Sequence, residues 1–318
     1  MNKRNKKIVL NGQNEDYIFY PFSSRSHLRK VSKFSRVFKG ESSENRAVVV
    51  KMLPNEMAKN KNDIERFKNE IDWYGVHPNL LAPFEYIHQD NHHYLIVEFL
   101  KNIDLGYYIH FKRLFLKTRI RLAIECGLQL LDAVEQIHNR GFIHADIKPA
   151  NVLLLSNKPG LNRYKNPQFQ LIDFGMVRQA GGVPNKVHGY SKRQFALIYS
   201  PPEQVFGFHD LTSFHSDLYN IAFLIYEMIV KEPAYKSNIS VKLMNLQTSF
   251  PLEVKKVIPP ELMNILLKAA SKYHFKKPPS HYTRSQVYKR LAIGIDSRYK
   301  SANEFKQALL LFKNNYNL

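Results

Sequence analysis

The chain has 318 residues, 44% apolar and 23% charged, a globular usage that excludes an intrinsically disordered chain. Its one cysteine, Cys126, excludes an internal disulfide and a cysteine-based zinc cluster, and its apolar runs fall short of a membrane span. With 47 Lys and Arg against 27 Asp and Glu the net charge is +20, a field that attracts anionic partners: acidic protein, a phospholipid surface or nucleic acid.

The N-terminal stretch MNKRNKKIVLNGQ has too short an apolar run for a secretory signal. A reducing, cytoplasmic compartment is the expectation, with signal-less delivery into another cell left open. Lys7–Leu10 and Asp16–Tyr20 flank an Asn11-Gly12 turn signal and read as a hairpin within a basic extension, residues 1–25. Arg46–Leu53 and His93–Leu100 are β-branched and aromatic runs bounded by polar turns, hence strands. Between them, Ile64, Phe67, Ile71 and Tyr74 recur at helical spacing within Asn62–Tyr74. His88, His92 and His93 surround Asp90-Asn91, which marks a polar hairpin tip rather than a metal cluster.

From about residue 105 the pattern turns helical. Ile120, Ile124, Leu128, Leu131, Val134 and Ile137 repeat every three or four residues until Gly141. Leu218, Ile221, Ala222, Ile225 and Met228 form a second apolar helix. Ser301-Ala302-Asn303-Glu304 has the form of a capping box before a last helix through Phe305, Leu309 and Phe312. A small strand-rich half therefore precedes a larger helical half, an α+β chain divided near residue 100.

The chemistry concentrates in three places. His144-x-Asp146-x-Lys148-x-x-Asn151 sets an acid, a base and an amide in one short loop. Asp173-Phe174-Gly175 follows the apolar run Phe169–Ile172. Lys51 closes a strand, and Glu70 lies 19 residues on, within the expected helix. Such a set suits phosphoryl transfer, which needs positioning and charge cancellation more than covalent help. A lysine can hold phosphates, a carboxylate can hold that lysine, and carboxylate with amide oxygen suits magnesium.

On these motifs the chain resembles eukaryotic-type protein kinases over roughly residues 28–316. The resemblance implies a bilobal fold, with a strand-rich N-lobe at 26–100 and a helical C-lobe at 101–318. It implies transfer of the γ-phosphoryl group of ATP to a protein hydroxyl, with Mg2+, or Mn2+ as the alternative. Lys51 matches the nucleotide lysine, Glu70 its partner, Asp146 the catalytic base, and Asn151 and Asp173 the metal ligands. Lys148 matches the serine/threonine rather than the tyrosine branch. By register Val97 is the gatekeeper, Glu98 to Leu100 the hinge, and Asp104 the ribose contact; Val37, Val49 and Leu153 line the adenine slot. Glu203 in Tyr199-Ser200-Pro201-Pro202-Glu203 matches the end of the activation segment, Arg298 its ion-pair partner, and Asp217 the anchor of a buried helix. His144 reads as a packed histidine, and Met176 after the DFG glycine implies a preference for serine.

The departures are as specific. Three glycines that cover phosphate in the family fall at Lys30, Ser32 and Ser35. Ala145 replaces the arginine before the catalytic aspartate, and Ala196 a threonine. The stretch between Asn151 and Asp173 is long. A basic insertion near 273–295 carries Lys276, Lys277, Arg284, Lys289 and Arg290 with Tyr282 and Tyr288 interleaved, an anion-docking element or a solvated helix. Two functions stay open: an active serine/threonine kinase, or a pseudokinase acting as a binding scaffold.

Overall fold

Short alternating runs of apolar residues form half-buried strands. In the computed structural model, which describes residues 7–21, 35–155, 164–182 and 197–318, six of them build one antiparallel sheet. They are β1 (Ile8–Asn11), β2 (Asp16–Phe19), β3 (Arg36–Ser42), β4 (Ala47–Met52), β5 (Glu85–Gln89) and β6 (His92–Glu98), in the order β1-β2-β3-β4-β6-β5. The pleat sends Phe38, Val48, Val50, Met52, Tyr94 and Ile96 into one core. Directly opposed residues share a face. Val37 lies opposite Lys51 and Val49 opposite Val97, so these four occupy the other face together.

Residues 7–21 do not stand apart as an extension. β2 pairs with β3, Phe19 opposite Gly40, and Leu10, Tyr17 and Phe19 complete the core. The edge of β3 needs hydrogen-bond partners and these three side chains need burial; one hairpin satisfies both. Tyr17 donates a 2.6 Å hydrogen bond to the buried carboxylate of Glu85. The β5–β6 turn is the expected tip: Asp90 and Asn91 have φ of 50° and 59°, the left-handed pair of a two-residue hairpin. The rings of His88 and His93 stack there at 4.4 Å, and His93 bonds the Tyr86 hydroxyl. No three metal-ligating side chains converge among the described residues.

The helix expected over Asn62–Tyr74 is shorter. α1 (Lys61–Lys68), capped by the Asn60 side chain, gives way to a 3-10 turn over Asn69–Trp73. With three residues per turn, i and i+3 eclipse. Glu70 and Trp73 are thereby buried on one edge, while Tyr74, expected on the buried face, is exposed.

The described residues divide into two compact units: those up to Lys101 with Ile172–Gly175, and the remainder. The second unit is mostly helical. It contains β7 (Asn102–Asp104), α2 (Leu105–Phe111), α3 (Leu116–His138), β8 (Phe142–Ile143), β9 (Val152–Leu155), β10 (Phe169–Leu171) and β11 (Arg178–Gln179). It continues through α4 (Pro202–Val205), α5 (Phe214–Val230), α6 (Ser240–Ser249), α7 (Pro260–Ala269), α8 (Arg284–Asp296) and α9 (Ala302–Asn315). α5 is buried on nearly every side, and α3 packs against it and against α9. A Cβ on Gly127 would come within 2.6 Å of Ile225, so glycine permits that close crossing. The basic insertion contains α8. Its Tyr282 and Tyr288 pack with Phe208, Val287 and Leu291, under Arg284 and Arg290, so these rings serve the local core. No helix among the described residues is long and apolar enough to cross a membrane.

Candidate active site

In the first unit β4 delivers Lys51, and the 3-10 turn after α1 delivers Glu70. The Lys51 ammonium donates to both Glu70 oxygens at 2.8 and 2.7 Å and to Asp173 Oδ1 at 2.9 Å. Burial works against that ammonium, but the carboxylates of Asp173 and Glu70 outweigh it and hold its pKa above the ordinary value. Burial raises the pKa of Glu70, with Lys51 opposing. Asp173 adopts φ of 70°, a left-handed backbone that costs a non-glycine residue about 1–2 kcal/mol. Phe174 stacks on Trp73 with ring centroids 6.4 Å apart, which fixes the segment beside the turn that carries Glu70. A Cβ on Gly175 would lie 3.3 Å from Glu70 Oε1, so the glycine leaves room for the ion pair.

In the second unit the loop after β8 gathers Asp146, Lys148 and Asn151. Lys148 Nζ donates to Asp146 Oδ2 at 2.6 Å, and Asn151 Nδ2 donates to the same oxygen and to the Asp146 carbonyl, each at 2.9 Å. The loop backbone is held from α4 and α5. Asp217 accepts from the amides of His144 and Ala145, both at 2.9 Å, and from His138 Nε2. Gln204 donates to the Ala145 carbonyl and Asn220 to that of Ile147. Ala145 has φ of 63°, and these bonds offset the strain of that conformation. Burial alone would raise the Asp217 pKa; the bond from His138 and the charges and amide around it keep it below the usual carboxylate value. His144 is fully buried, a packed residue.

The remaining expected positions fall as follows. Val37, Val49 and Val97 share the sheet face of Lys51, half-exposed; Glu98 ends β6 and is exposed, and Leu100 follows, half-buried. Asp104 ends β7 and caps α2 by accepting from the Tyr107 amide at 3.1 Å. Leu153, on β9, is buried opposite Asp104 and Gln170. Ser35 is buried just ahead of β3; Lys30, Ser32 and Ala196 lie outside the described residues. Arg298 and Glu203 form a buried, two-pronged ion pair at 2.8 and 3.1 Å. Sequence reasoning missed Trp73, His138, Gln204 and Asn220. For Trp73 a signal existed, since it is the sole tryptophan and lies three residues after Glu70.

The sequence profile of the protein kinase domain family matches residues 32–292. The chain belongs to that family. A probable serine/threonine-protein kinase of Streptomyces coelicolor is 29% identical over 242 residues, 71% of this chain and 33% of that protein. PrkC of Bacillus subtilis, a serine/threonine-protein kinase, is 25% identical over 73% of this chain and 34% of its own length. The chain thus spans about a third of the curated relatives it matches. The Mycobacterium tuberculosis PknI kinase domain superposes with a TM-score of 0.61 at 17% identity, covering 96% of this chain and 97% of that one. The fold is accordingly the protein kinase fold, an N-terminal antiparallel sheet followed by a mostly helical region.

Proposed function

We propose that this kinase-family chain is an active, ATP- and magnesium-dependent serine/threonine protein kinase. The observation that carries the reading is the assembled contact of Lys51 with Glu70 and Asp173, at 2.7–2.9 Å. The Lys51 and Glu70 side chains are largely withdrawn from water, 12% and 4% exposed, a costly placement for charges that the binding of phosphate accounts for. The relatives in Streptomyces and Bacillus, named as serine/threonine kinases, support the same branch.

The residues fit the nucleotide and its metal by donor type. Asp173 and the Asn151 amide oxygen are the oxygen donors that would hold magnesium, and Lys51 is the cation for the phosphates. Bound magnesium would neutralise charge on the phosphates. Glu70 keeps the Lys51 ammonium fixed and charged. Asp146 accepts the proton of the substrate hydroxyl as its oxygen bonds the γ-phosphorus and the bond to ADP breaks. Lys148, 2.6 Å from Asp146, offsets charge beside it, and Asn151 holds the carboxylate's orientation. The family resemblance assigns Val49, Val97 and Leu153 to adenine's apolar contacts, the Glu98–Leu100 backbone to its polar edge and Asp104 to the ribose.

Lys30, Ser32 and Ala196 favour the second reading, a pseudokinase scaffold. ADP release with magnesium, ATP and a basic protein substrate separates the two. Turnover that falls at least 100-fold in Lys51→Met and Asp173→Asn, with each variant still folded by circular dichroism, is expected for the active enzyme. Absence of ADP from the unaltered protein, or full activity in either variant, would refute these roles.

A further inference from the structure

The connection between α2 and α3 displays apolar side chains in a cationic surround. Tyr107, Phe111, Phe115 and Leu116, within ten positions, are 50%, 68%, 88% and 36% exposed. Scattered exposed rings are ordinary, but four large apolar side chains exposed within ten positions, two of them stacked on each other, mark an interaction surface. From Leu105 to Ile124 there is no acidic residue, while Lys112, Arg113, Lys117, Arg119 and Arg121 all fall within that span.

The connection is pinned from behind. Lys231 donates to the Lys112 carbonyl and Arg119 to the Ile229 carbonyl, tying it to the C-terminal end of α5. Arg121 donates to the carbonyls of Tyr164 and Lys165. These cations anchor the display, whereas Arg113 and Lys117 are exposed beside the rings. Burial depresses the Lys231 ammonium pKa, and the neighbouring charges of Arg119 and Arg113 add to the effect.

We propose that this surface docks on an anionic phospholipid membrane, with Phe111, Phe115 and Leu116 entering the headgroup–acyl boundary and Arg113 and Lys117 contacting headgroups. Apolar side chains beside lysine and arginine are the composition such a boundary takes. Single-stranded nucleic acid fits less well, because bases stack on open ring faces. Tyr107 and Phe111 already cover one another at 4.9 Å, and Leu116 has no π face. The proposal is independent of catalytic activity.

Flotation of the full chain tests it, using phosphatidylcholine vesicles with and without phosphatidylserine. Binding should require phosphatidylserine and weaken in high salt. Phe111→Ser/Phe115→Ser should lower partitioning at least tenfold, and Arg113→Gln/Lys117→Gln about fivefold per cation. Lys276→Gln/Lys277→Gln, an equal charge change ahead of α8, should alter it less than about twofold if docking is local. A Phe115→Trp variant should shift its emission to the blue on anionic vesicles and be quenched by brominated lipid, a readout that gains a signal rather than losing one. The proposal is overturned by absence of binding, by equal losses in the two charge variants, or by an emission from the Phe115→Trp variant that vesicles leave unshifted. It is equally overturned if the ring variants spare vesicle binding but abolish binding to oligouridylate.

Discussion

Arg298→Met removes the cation from a pair that water does not reach. Arg298 is 2% exposed and Glu203 0%. The guanidinium also donates through Nε to the Ser271 carbonyl at 2.9 Å, and Ser216 donates to the Glu203 carboxylate at 2.7 Å. Methionine preserves much of the stem that packs near Tyr219, so the loss is chiefly one of charge and hydrogen bonds. A buried carboxylate left with a single hydroxyl costs about 3–5 kcal/mol. An unfolding entropy of about 2.1 cal/mol/K per residue gives about 0.7 kcal/mol/K for this chain, so the transition should fall by about 4–8 °C. Thermal unfolding followed by far-UV circular dichroism measures this. The double variant Glu203→Leu/Arg298→Met should recover most of the loss, because no buried charge then lacks a partner. A shift below about 2 °C in the single variant, or a double variant that loses the sum of both singles, would refute the reasoning.

Burial pushes the Glu227 carboxyl up to about 7 from 4.5, with the Tyr199 hydroxyl at 3.3 Å opposing. A raised carboxyl pKa means its contribution is fully present below pH 4.5 and is lost as pH rises through about 7. Glu227→Gln should therefore stabilise the fold by up to about 3 kcal/mol in mildly alkaline buffer and barely at pH near 4.5; urea titrations giving equal effects would count against it. Met176 after the DFG glycine leads us to expect serine over threonine in a peptide pair differing only at the acceptor, and equal rates would contradict this. Since Ala145 brings no cation beside Asp146, phosphatase treatment should change turnover less than about threefold, ~0.7 kcal/mol of barrier; a tenfold loss regained on rephosphorylation would show that an activation-segment phosphate is needed after all.

By itself the sequence determined the class of the fold and the identity of the chemical groups. Period-two runs in the first hundred residues and helical spacing thereafter are local properties, set by which faces must be dry. The motif residues Lys51, Asp146, Asn151 and Asp173 stood out in the sequence by residue type at fixed spacing, and the structure brings Lys51 to Asp173 and Asn151 to Asp146. Tertiary structure decided what depends on distant neighbours. The N-terminal hairpin joined the sheet because the β3 edge and the core could take it. The helix expected to carry Glu70 tightened into a 3-10 turn, which put Trp73 rather than Tyr74 against the interior. Ala145 and Asp173 hold left-handed conformations that their own side chains disfavour. For Ala145 the compensation comes from Asp217, 72 residues away, whose carboxylate bonds its amide and is itself held ionised by His138. Local propensity is a matter of about 1 kcal/mol per residue, and a buried charge-assisted hydrogen bond exceeds it. The loop that carries Asp146 therefore takes its shape from the helices behind it.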